Sequence, residues 1–534
     1  MISIRRAHGD ENGQSLVIVL SLVTFLFLVG SALAVQASVA LRVTAAGTAE
    51  AAALHAADAG AELGIWWQRQ ALAGDPPTIT VNGLPVTTTV TTTGGSVSGA
   101  GWRQWGFNGR SWAASSEPGP MPVCNGPRWS PYPTVTQGAT VASPTVADDG
   151  YVYVGGANGL HAFAPDGTLA WSFLSATQAP ALGGFIGSPA IVPTSGGAKM
   201  IVAATDGTAT TASTVMGLTE GPSKTGVSVT WSYSLGSGAS IGFVGGPKVN
   251  AAGTRAYIAA RNSTVYAFST TGSGAISPLW NTATGSAVTV AVGLNSAETR
   301  VYVATSNGIL RAYNTSTGAQ TWTRTVAGGN ALTAPVFATV GTRDHIYVGS
   351  GADQRIYVVR DNNTSAAGDW NRNLSANALS APALLVSGGQ TYIYVANDAG
   401  AIRKLRDNGT SNTVMWTFTP AASGIRASLV LDSGDALYAG NEAGTLYRIA
   451  DGGTSATTTW SLAAGAGAVR SGLAIGVDTD LYAVTIGNRL VAVGPSPTAP
   501  TVTVTAAAGS ATVATCYASA GSGAPILSSW TTTK

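Results

Sequence analysis

Four histidines and two cysteines are the side chains best suited to nucleophilic or metal chemistry, and their placement argues against both. His55, His161 and His345 are isolated in sequence, and His8 lies in the leader. A lone strand histidine is more often packed or solvated than catalytic. Cys124 and Cys516 are 392 positions apart, whereas zinc sites draw on close pairs. No Gly-x-Ser-x-Gly elbow, His-Glu-x-x-His helix or phosphate-binding loop is present. The stretch Asp361-Asn-Asn-Thr-Ser-Ala-Ala-Gly-Asp369 offers the oxygen donors that calcium requires. However, Asp361, Asp407 and Asp451 each lie nine residues before a tryptophan, and that recurrence favours a turn capped by the Asp side chain. Arg426 and Arg470 sit at equivalent places in two repeats, where they either bind an anion in a central channel or face solvent; solvent is the favoured reading. We therefore expect no catalytic, cofactor-binding or metal-binding residue, and a protein that is not an enzyme.

Composition narrows the partners. Of 534 residues, 68 are Gly and only 10% are charged, which suits many short strands joined by tight turns and does not suit a disordered chain. The net charge is +2, without a Lys/Arg cluster, so a nucleic-acid partner lacks its electrostatic footprint.

The elements that position these residues repeat. Trp129, Trp171, Trp231, Trp280, Trp322, Trp370, Trp416 and Trp460 recur at intervals of 42 to 60 residues. Before each of the later ones runs a common grammar. A small-residue or Pro-containing strand comes first (Thr333-Ala-Pro-Val-Phe337). An aromatic and β-branched strand follows (Ile346-Tyr-Val-Gly349), then a third strand (Leu446-Tyr-Arg-Ile449), then the Trp strand. Four short strands form a sheet that cannot bury both faces alone, and radial packing of such sheets solves this. Third strands fall at Leu160, Val215, Val265, Leu310, Ile356, Ile402, Leu446 and Leu490. The eighth repeat ends at Val493 without a Trp, while Trp129 precedes the first complete repeat. The segment around Trp129 is therefore expected to supply the last strand of the eighth blade and close the ring. The pattern resembles the quinoprotein-like (PQQ-like repeat) propeller family, best at Ala312-Tyr-Asn-Thr-Ser-Thr-Gly-Ala-Gln-Thr-Trp322, which follows its tryptophan-docking motif. A seven-bladed WD40-type ring is the structural alternative, but the Trp-Asp signature is absent. The resemblance admits a quinone-dependent dehydrogenase, yet the adjacent cysteines and the acid cluster of that chemistry are not found.

The amino terminus reads differently. Residues 12–41 carry no charge, the apolar core runs from Leu16 to Val35, and Arg5 and Arg6 precede it. That suits a membrane span of about 20 residues with the bulk of the chain outside. Helical character continues through Ala45 to Leu72. The residues Gly13-Gln-Ser-Leu-Val-Ile-Val-Leu20 and Ala56-Ala-Asp-Ala-Gly60 resemble the amino terminus of type IV pilin-like proteins of the PilX type. The resemblance implies cleavage between Gly13 and Gln14. Position 18 is Ile where major pilins carry Glu, which speaks against a major-subunit role.

Thr78 to Val90 reads as a hairpin turning at Asn82-Gly83. Residues 94–128 are rich in Gly, Ser and Pro, with Trp102, Trp105 and Trp112 expected to pack on the propeller. After the Pro-rich linker 495–500, two strands and Gly523-Ala-Pro-Ile526 resemble the opening of a fibronectin type III domain. Such a sandwich needs about 100 residues, so it is expected to extend past Lys534. Cys124 and Cys516 are candidates for a disulfide if oxidised outside the membrane, or else two free buried thiols. The expected organisation is a leader at 1–13, a pilin-like membrane helix at 14–73, a small β and linker region at 74–128, an eight-bladed β-propeller at 129–495 and a linker with the fibronectin-like start at 496–534. The fold class is mainly β. The expected function is a bacterial cell-surface or pilus-associated minor pilin-like protein. It displays a propeller for adhesion or protein interaction, with the membrane, other pilins and a surface, glycan or protein ligand as partners. The alternative is a pilus-assembly or envelope scaffold without external ligand.

Overall fold

The computed structural model describes residues 142–494 with gaps at 186, 195–197, 239–240 and 466, together with 103–104, 113–115, 119–120, 129 and 133–136. It also describes 77–81, 84–93, 501–508, 511–518 and 526–533, and the helical residues Ala56, Ala59 and Leu63. The expected leader, cleavage site (Gly13, Gln14) and apolar span lie outside the described residues, as do Cys124, Trp102, Trp105 and Trp112. Among the described residues no helix is long and apolar enough to cross a membrane.

The chain divides into two compact units, Thr93–Thr501 and a second made of Met1–Thr92 with Val502–Lys534. In the second unit, Ile79–Val81 and Leu84–Thr93 form the expected antiparallel hairpin, with Val81 opposite Leu84. The last three strands, Thr501–Ala508, Ala511–Ala518 and Ile526–Thr533, continue that hairpin into one five-stranded sheet.

The larger unit holds eight sheets, each a blade, and bears out the eightfold reading. Blade 1 comprises Thr145–Val146, Val152–Gly156, Gly159–Phe163 and Leu169–Leu174. Blade 2 comprises Ala190–Pro193, Lys199–Ala204, Ala212–Glu220 and Val227–Ser237, and gains Gly274–Ala275 as a parallel edge strand. Its long third and fourth strands, together with a longer connection from Trp171 to Ala190, account for the 60-residue interval between Trp171 and Trp231. Blade 3 runs from Phe243–Val249 to Trp280–Ala283 and blade 4 from Gly293–Leu294 to Gln320–Thr325. Blade 5 comprises Val336–Val340, Arg343–Ser350, Arg355–Asp361 and Ala366–Asn373. Blade 6 comprises Ala383–Ser387, Gln390–Ala396, Ile402–Asp407 and Asn412–Phe418. Blade 7 runs from Val430–Leu431 to Ala456–Ala463. Blade 8 contributes Ala474–Ile475, Leu481–Val484 and Leu490–Val493.

Apart from the added edge strand of blade 2, the strands within each blade pair antiparallel, and the apolar side chains collect between blades. One cluster joins Tyr153 and Leu160 of blade 1 to Ile201 and Met216 of blade 2; another joins Tyr257 and Val265 of blade 3 to Leu294 and Val301 of blade 4. Each seam is thus a small core, and face-on-face burial is the main stabilising term.

The ring closes as its sequence implies. Thr134 bridges Arg489 in antiparallel fashion, Val135 N–H donates to Asn488 O at 2.8 Å, and Leu490 N–H to Pro133 O at 3.0 Å. Residues 133–135 therefore add the fourth strand to blade 8. The first strand of blade 8 lies against that of blade 1. Trp129 packs on Tyr482 of blade 8 with ring centroids 5.6 Å apart, the arrangement seen for Tyr302–Trp322 (5.9 Å) and Tyr394–Trp416 (5.9 Å) within their own blades.

The residues ahead of Trp129 are more than a linker. Ile191 N–H donates to Arg103 O, Val249 N–H to Gln104 Oε1, and Ala114 bridges Leu431 in parallel. This segment thus bonds the first strands of blades 2, 3 and 7, and the compact unit begins at Thr93, ahead of the expected start at 129.

Candidate functional site

All eight blade tryptophans are buried, none more than 9% exposed. A buried indole N–H needs an acceptor. In most seams it finds one on the next blade, at or just past the end of the third strand.

Two seams show what the docking motif is for. Trp280 Nε1 donates to Thr315 O of blade 4 at 2.8 Å, and Trp129 Nε1 to Pro165 O of blade 1 at 3.1 Å. The glycine that follows lies beneath the ring. A Cβ on Gly318 would fall 2.6 Å from Trp280, and one on Gly167 2.6 Å from Trp129. Both glycines hold positive φ, +71° and +85°, a conformation that L side chains rarely adopt. The Thr315 carbonyl and Gly318 of the motif together seat the preceding blade's tryptophan, as Pro165 and Gly167 do in blade 1.

In other seams an acidic side chain replaces the carbonyl. Trp370 Nε1 donates to Asp407 Oδ1 at 2.8 Å and Trp416 Nε1 to Asp451 Oδ1 at 3.0 Å. The neighbouring tyrosines reach the same carboxylates: Tyr347 to Asp407 Oδ2 at 2.6 Å and Tyr394 to Asp451 Oδ2 at 2.5 Å. Tyr302 donates to Asp361 Oδ2 at 2.8 Å, and Arg300 Nε lies 2.9 Å from the same oxygen. Blade 2 uses Glu220, fully buried, which accepts from Trp171 Nε1 at 2.7 Å and Tyr153 at 2.8 Å. The three aspartates also cap turns as expected, accepting from the N–H of Asn363, Gly409 and Gly453. The turn reading captured half of their role; the other half is to bind one blade to the next.

Electrostatics follows. Burial pushes the Asp407 carboxyl up, but hydrogen bonds from His345, Tyr347 and Trp370 outweigh it and hold the group below its ordinary range. Asp451 behaves alike: burial raises it, while Lys404, Tyr394 and Trp416 bring it below. Burial and the adjacent carboxylates push the Tyr347 and Tyr394 hydroxyls well up, so both remain donors.

The remaining sequence candidates are placed individually. His161 Nδ1 lies 2.8 Å from Ser172 Oγ and Nε2 3.1 Å from Asn158 Oδ1, a packed strand histidine whose burial lowers its basicity. His345 is not isolated: it lies against Asp407 and Asp369. Arg470 forms a bidentate pair with Glu442 at 2.6 to 3.1 Å, and Arg426 Nε lies 3.8 Å from the same carboxylate. Their side chains are 44% and 42% exposed, in keeping with solvent-facing charge. Cys516 pairs with Ser529 in the sheet of the smaller unit. Among the described residues no group of three His, Cys, Asp or Glu side chains is placed to hold a metal ion. Sequence reasoning missed Glu220, Lys199 and Lys224, which with Asp149 form an ion network at the seam of blades 1 and 2. It also missed Lys248, fully buried on the first strand of blade 3, where burial lowers its ammonium to about 7.

Residues 223–455 match the PQQ-like family profile described as outer membrane protein assembly factor BamB. No curated protein sequence matches the chain. Among solved structures, the fold is similar to quinohemoprotein alcohol dehydrogenase from Comamonas testosteroni, at 12% identity and a TM-score of 0.53 over 74% of this chain and 80% of that one. It is likewise similar to Saccharomyces cerevisiae Sqt1, at 13% identity and a TM-score of 0.52 over 70% of this chain and all of that one. BamB from Moraxella catarrhalis aligns at 14% identity and a TM-score of 0.47 over 68% of this chain and 99% of that one. Residues 223–455 thus resemble PQQ-like repeats, and they lie within the eight-bladed β-propeller.

Proposed function

We propose that this propeller is a rigid display scaffold carried outside the bacterial membrane on a pilin-like amino-terminal helix, and that it works by binding. The observation that carries the reading is the use made of the acidic side chains at the seams. Glu220, Asp361, Asp407 and Asp451 are spent on indole, hydroxyl and guanidinium donors of the preceding blade. They fasten a scaffold, leaving the loops between strands to recognise a partner. The pilin-like pattern of Gly13 to Leu20 supports membrane anchoring with cleavage after Gly13 and incorporation among other pilins. The carboxy-terminal strands are read as the start of a fibronectin type III-like module. The ligand class is a surface glycan or protein.

One observation favours a second reading, an envelope or pilus-assembly scaffold: the family profile matched by 223–455 is described as an outer membrane protein assembly factor. Deleting the gene separates the two. The display reading expects piliated cells that no longer adhere, with adhesion restored by the native chain. The assembly reading expects loss of pili or of envelope proteins and no direct ligand binding by purified protein. Quinone-dependent dye reduction by the purified chain would overturn both in favour of a dehydrogenase.

A further inference from the structure

His345 stands on the second strand of blade 5 and is enclosed by two carboxylates. Its Nδ1 is 2.8 Å from Asp407 Oδ2, across the seam in blade 6. Its Nε2 is 3.4 Å from Asp369 Oδ2, on the fourth strand of its own blade. The side chains of His345, Asp369 and Asp407 are only 4%, 2% and 0% exposed.

The tautomer follows from what else Asp407 binds. Its Oδ2 also accepts from the Tyr347 hydroxyl, and its Oδ1 accepts from Trp370 Nε1 and Gly409 N–H. A carboxyl group that accepts from this many donors is ionised, so His345 Nδ1 carries a hydrogen and donates it. Nε2 is then left facing Asp369 Oδ2, which has no hydrogen-bond partner among the described residues. An imidazole lone pair and a carboxylate oxygen at this distance repel, and burial strengthens the repulsion. One proton reverses the sign, whether it rests on Nε2 as imidazolium or on Asp369 as a carboxylic acid donating to Nε2; the pair holds the same number of protons either way.

We propose that His345 and Asp369 hold one proton between them, and that this proton makes the seam between blades 5 and 6 a pH-responsive clasp. Other groups facing the pair do not replace it. Arg360, His345's ladder partner on the third strand, places Nη2 3.4 Å from Asp369 Oδ1, the oxygen turned away from His345. Arg324, from the fourth strand of blade 4, shares with Asp369 the lining of a cavity of about 210 Å³ and acts on its charge from a distance. On the first strand the ladder partner is Ala338, which carries no charge. Burial raises Asp369 above the ordinary carboxylate range, and its interactions with His345 and Arg360 offset part of that rise.

The direction of the response follows by linkage. A group raised in the folded state stabilises at pH values below its unfolded pKa, and that stabilisation is lost as pH rises through the folded value. The clasp is therefore closed on the acid side and loosens as the shared proton leaves. Asp407 titrates in the opposite sense and must stay ionised, so the clasp also fails in strong acid.

The test uses the full chain in detergent micelles. Thermal unfolding midpoints between pH 5 and 9 are recorded for the native protein, for Asp369→Asn and for His345→Asn. In Asp369→Asn the introduced amide donates to Nε2 at every pH. In His345→Asn the introduced amide replaces the Nδ1 donor without titrating. Subtracting either variant's profile from the native one is expected to leave a fall in midpoint as pH rises. Histidine ¹⁵N spectra of the native protein and Asp369→Asn, with His345 assigned by its absence in His345→Asn, provide the second readout. Nδ1 is expected to stay protonated throughout while Nε2 changes with pH in the native protein only. A flat difference profile for Asp369→Asn, or a His345 with Nδ1 unprotonated in this range, overturns the proposal. If His345→Asn does not fold, Asp369→Asn and the native spectra still decide it.

Discussion

Replacing Asp407 with Ala removes the acceptor for three buried side-chain donors and one backbone N–H at once. Tyr347, His345 and Trp370 donate to it at 2.6, 2.8 and 2.8 Å, and Gly409 N–H at 2.8 Å. Its side chain is wholly buried, so water cannot take its place without opening the seam. A buried donor left without a partner costs about 1–3 kcal/mol. Three such donors, allowing for partial relaxation and non-additivity, give a loss of about 3–6 kcal/mol. Most other point substitutions cost about 1 kcal/mol. The assay is urea unfolding of the full chain followed by tryptophan fluorescence, comparing native, Asp407→Ala and Asp407→Asn proteins. Asp407→Asn keeps one acceptor oxygen and is expected to lose less than Asp407→Ala. The acid limb supplies an independent check. Asp407 is held below the ordinary carboxylate range, so its contribution is present above about pH 4 and lost as pH falls through its folded value. Asp407→Ala should therefore be less sensitive to acid than the native protein. A loss under about 1 kcal/mol with an unchanged acid limb would refute the idea that these carboxylates fasten the blades.

Other perturbations probe the remaining seams. Trp129→Ala, at the closure of the ring, is expected to cost about 3–5 kcal/mol and to expose strand 133–135 to limited proteolysis, read by mass spectrometry of the fragments. Gly318→Ala meets the Trp280 ring and imposes a side chain at φ +71°; a loss of about 1–3 kcal/mol is expected in the same urea assay. Lys248 is depressed to about 7, so the unfolded chain binds the extra proton between that value and about 10.4. Stability from this group should rise with pH across that interval, and Lys248→Met should flatten the rise in a thermal unfolding series.

How much of this was legible in the sequence depends on the distance over which each residue works. Trp280 and Trp322 could be read because a fourth strand that buries an indole recurs once per blade, and the missing tryptophan after Val493 pointed directly to Trp129. Asp361, Asp407 and Asp451 were half legible. Their bond to the backbone two residues on is local and leaves a turn signature, whereas their donors come from the preceding blade. His345 looked isolated for the same reason, since Asp407 approaches it from the next blade, 62 positions along. Glu220 escaped because the turn after it, residues 221–226, is longer than the turn 362–365 after Asp361 and breaks the nine-residue spacing to tryptophan. The segment containing Arg103, Gln104 and Ala114 read as linker by its Gly and Pro content. It bonds to blades 2, 3 and 7 through backbone groups and single side chains, which leave no periodicity to detect.

The propeller's purpose rests on where the chain is displayed, and Gly13-Gln14 is the link that tests it most directly. The full chain should be co-expressed with a prepilin peptidase, recovered from the membrane fraction and subjected to amino-terminal sequencing. A mature terminus at Gln14, lost in Gly13→Ala, is the predicted result. A chain that keeps residues 1–13, or is cut at another bond whether or not the peptidase is present, would contradict a pilin-like display of this propeller.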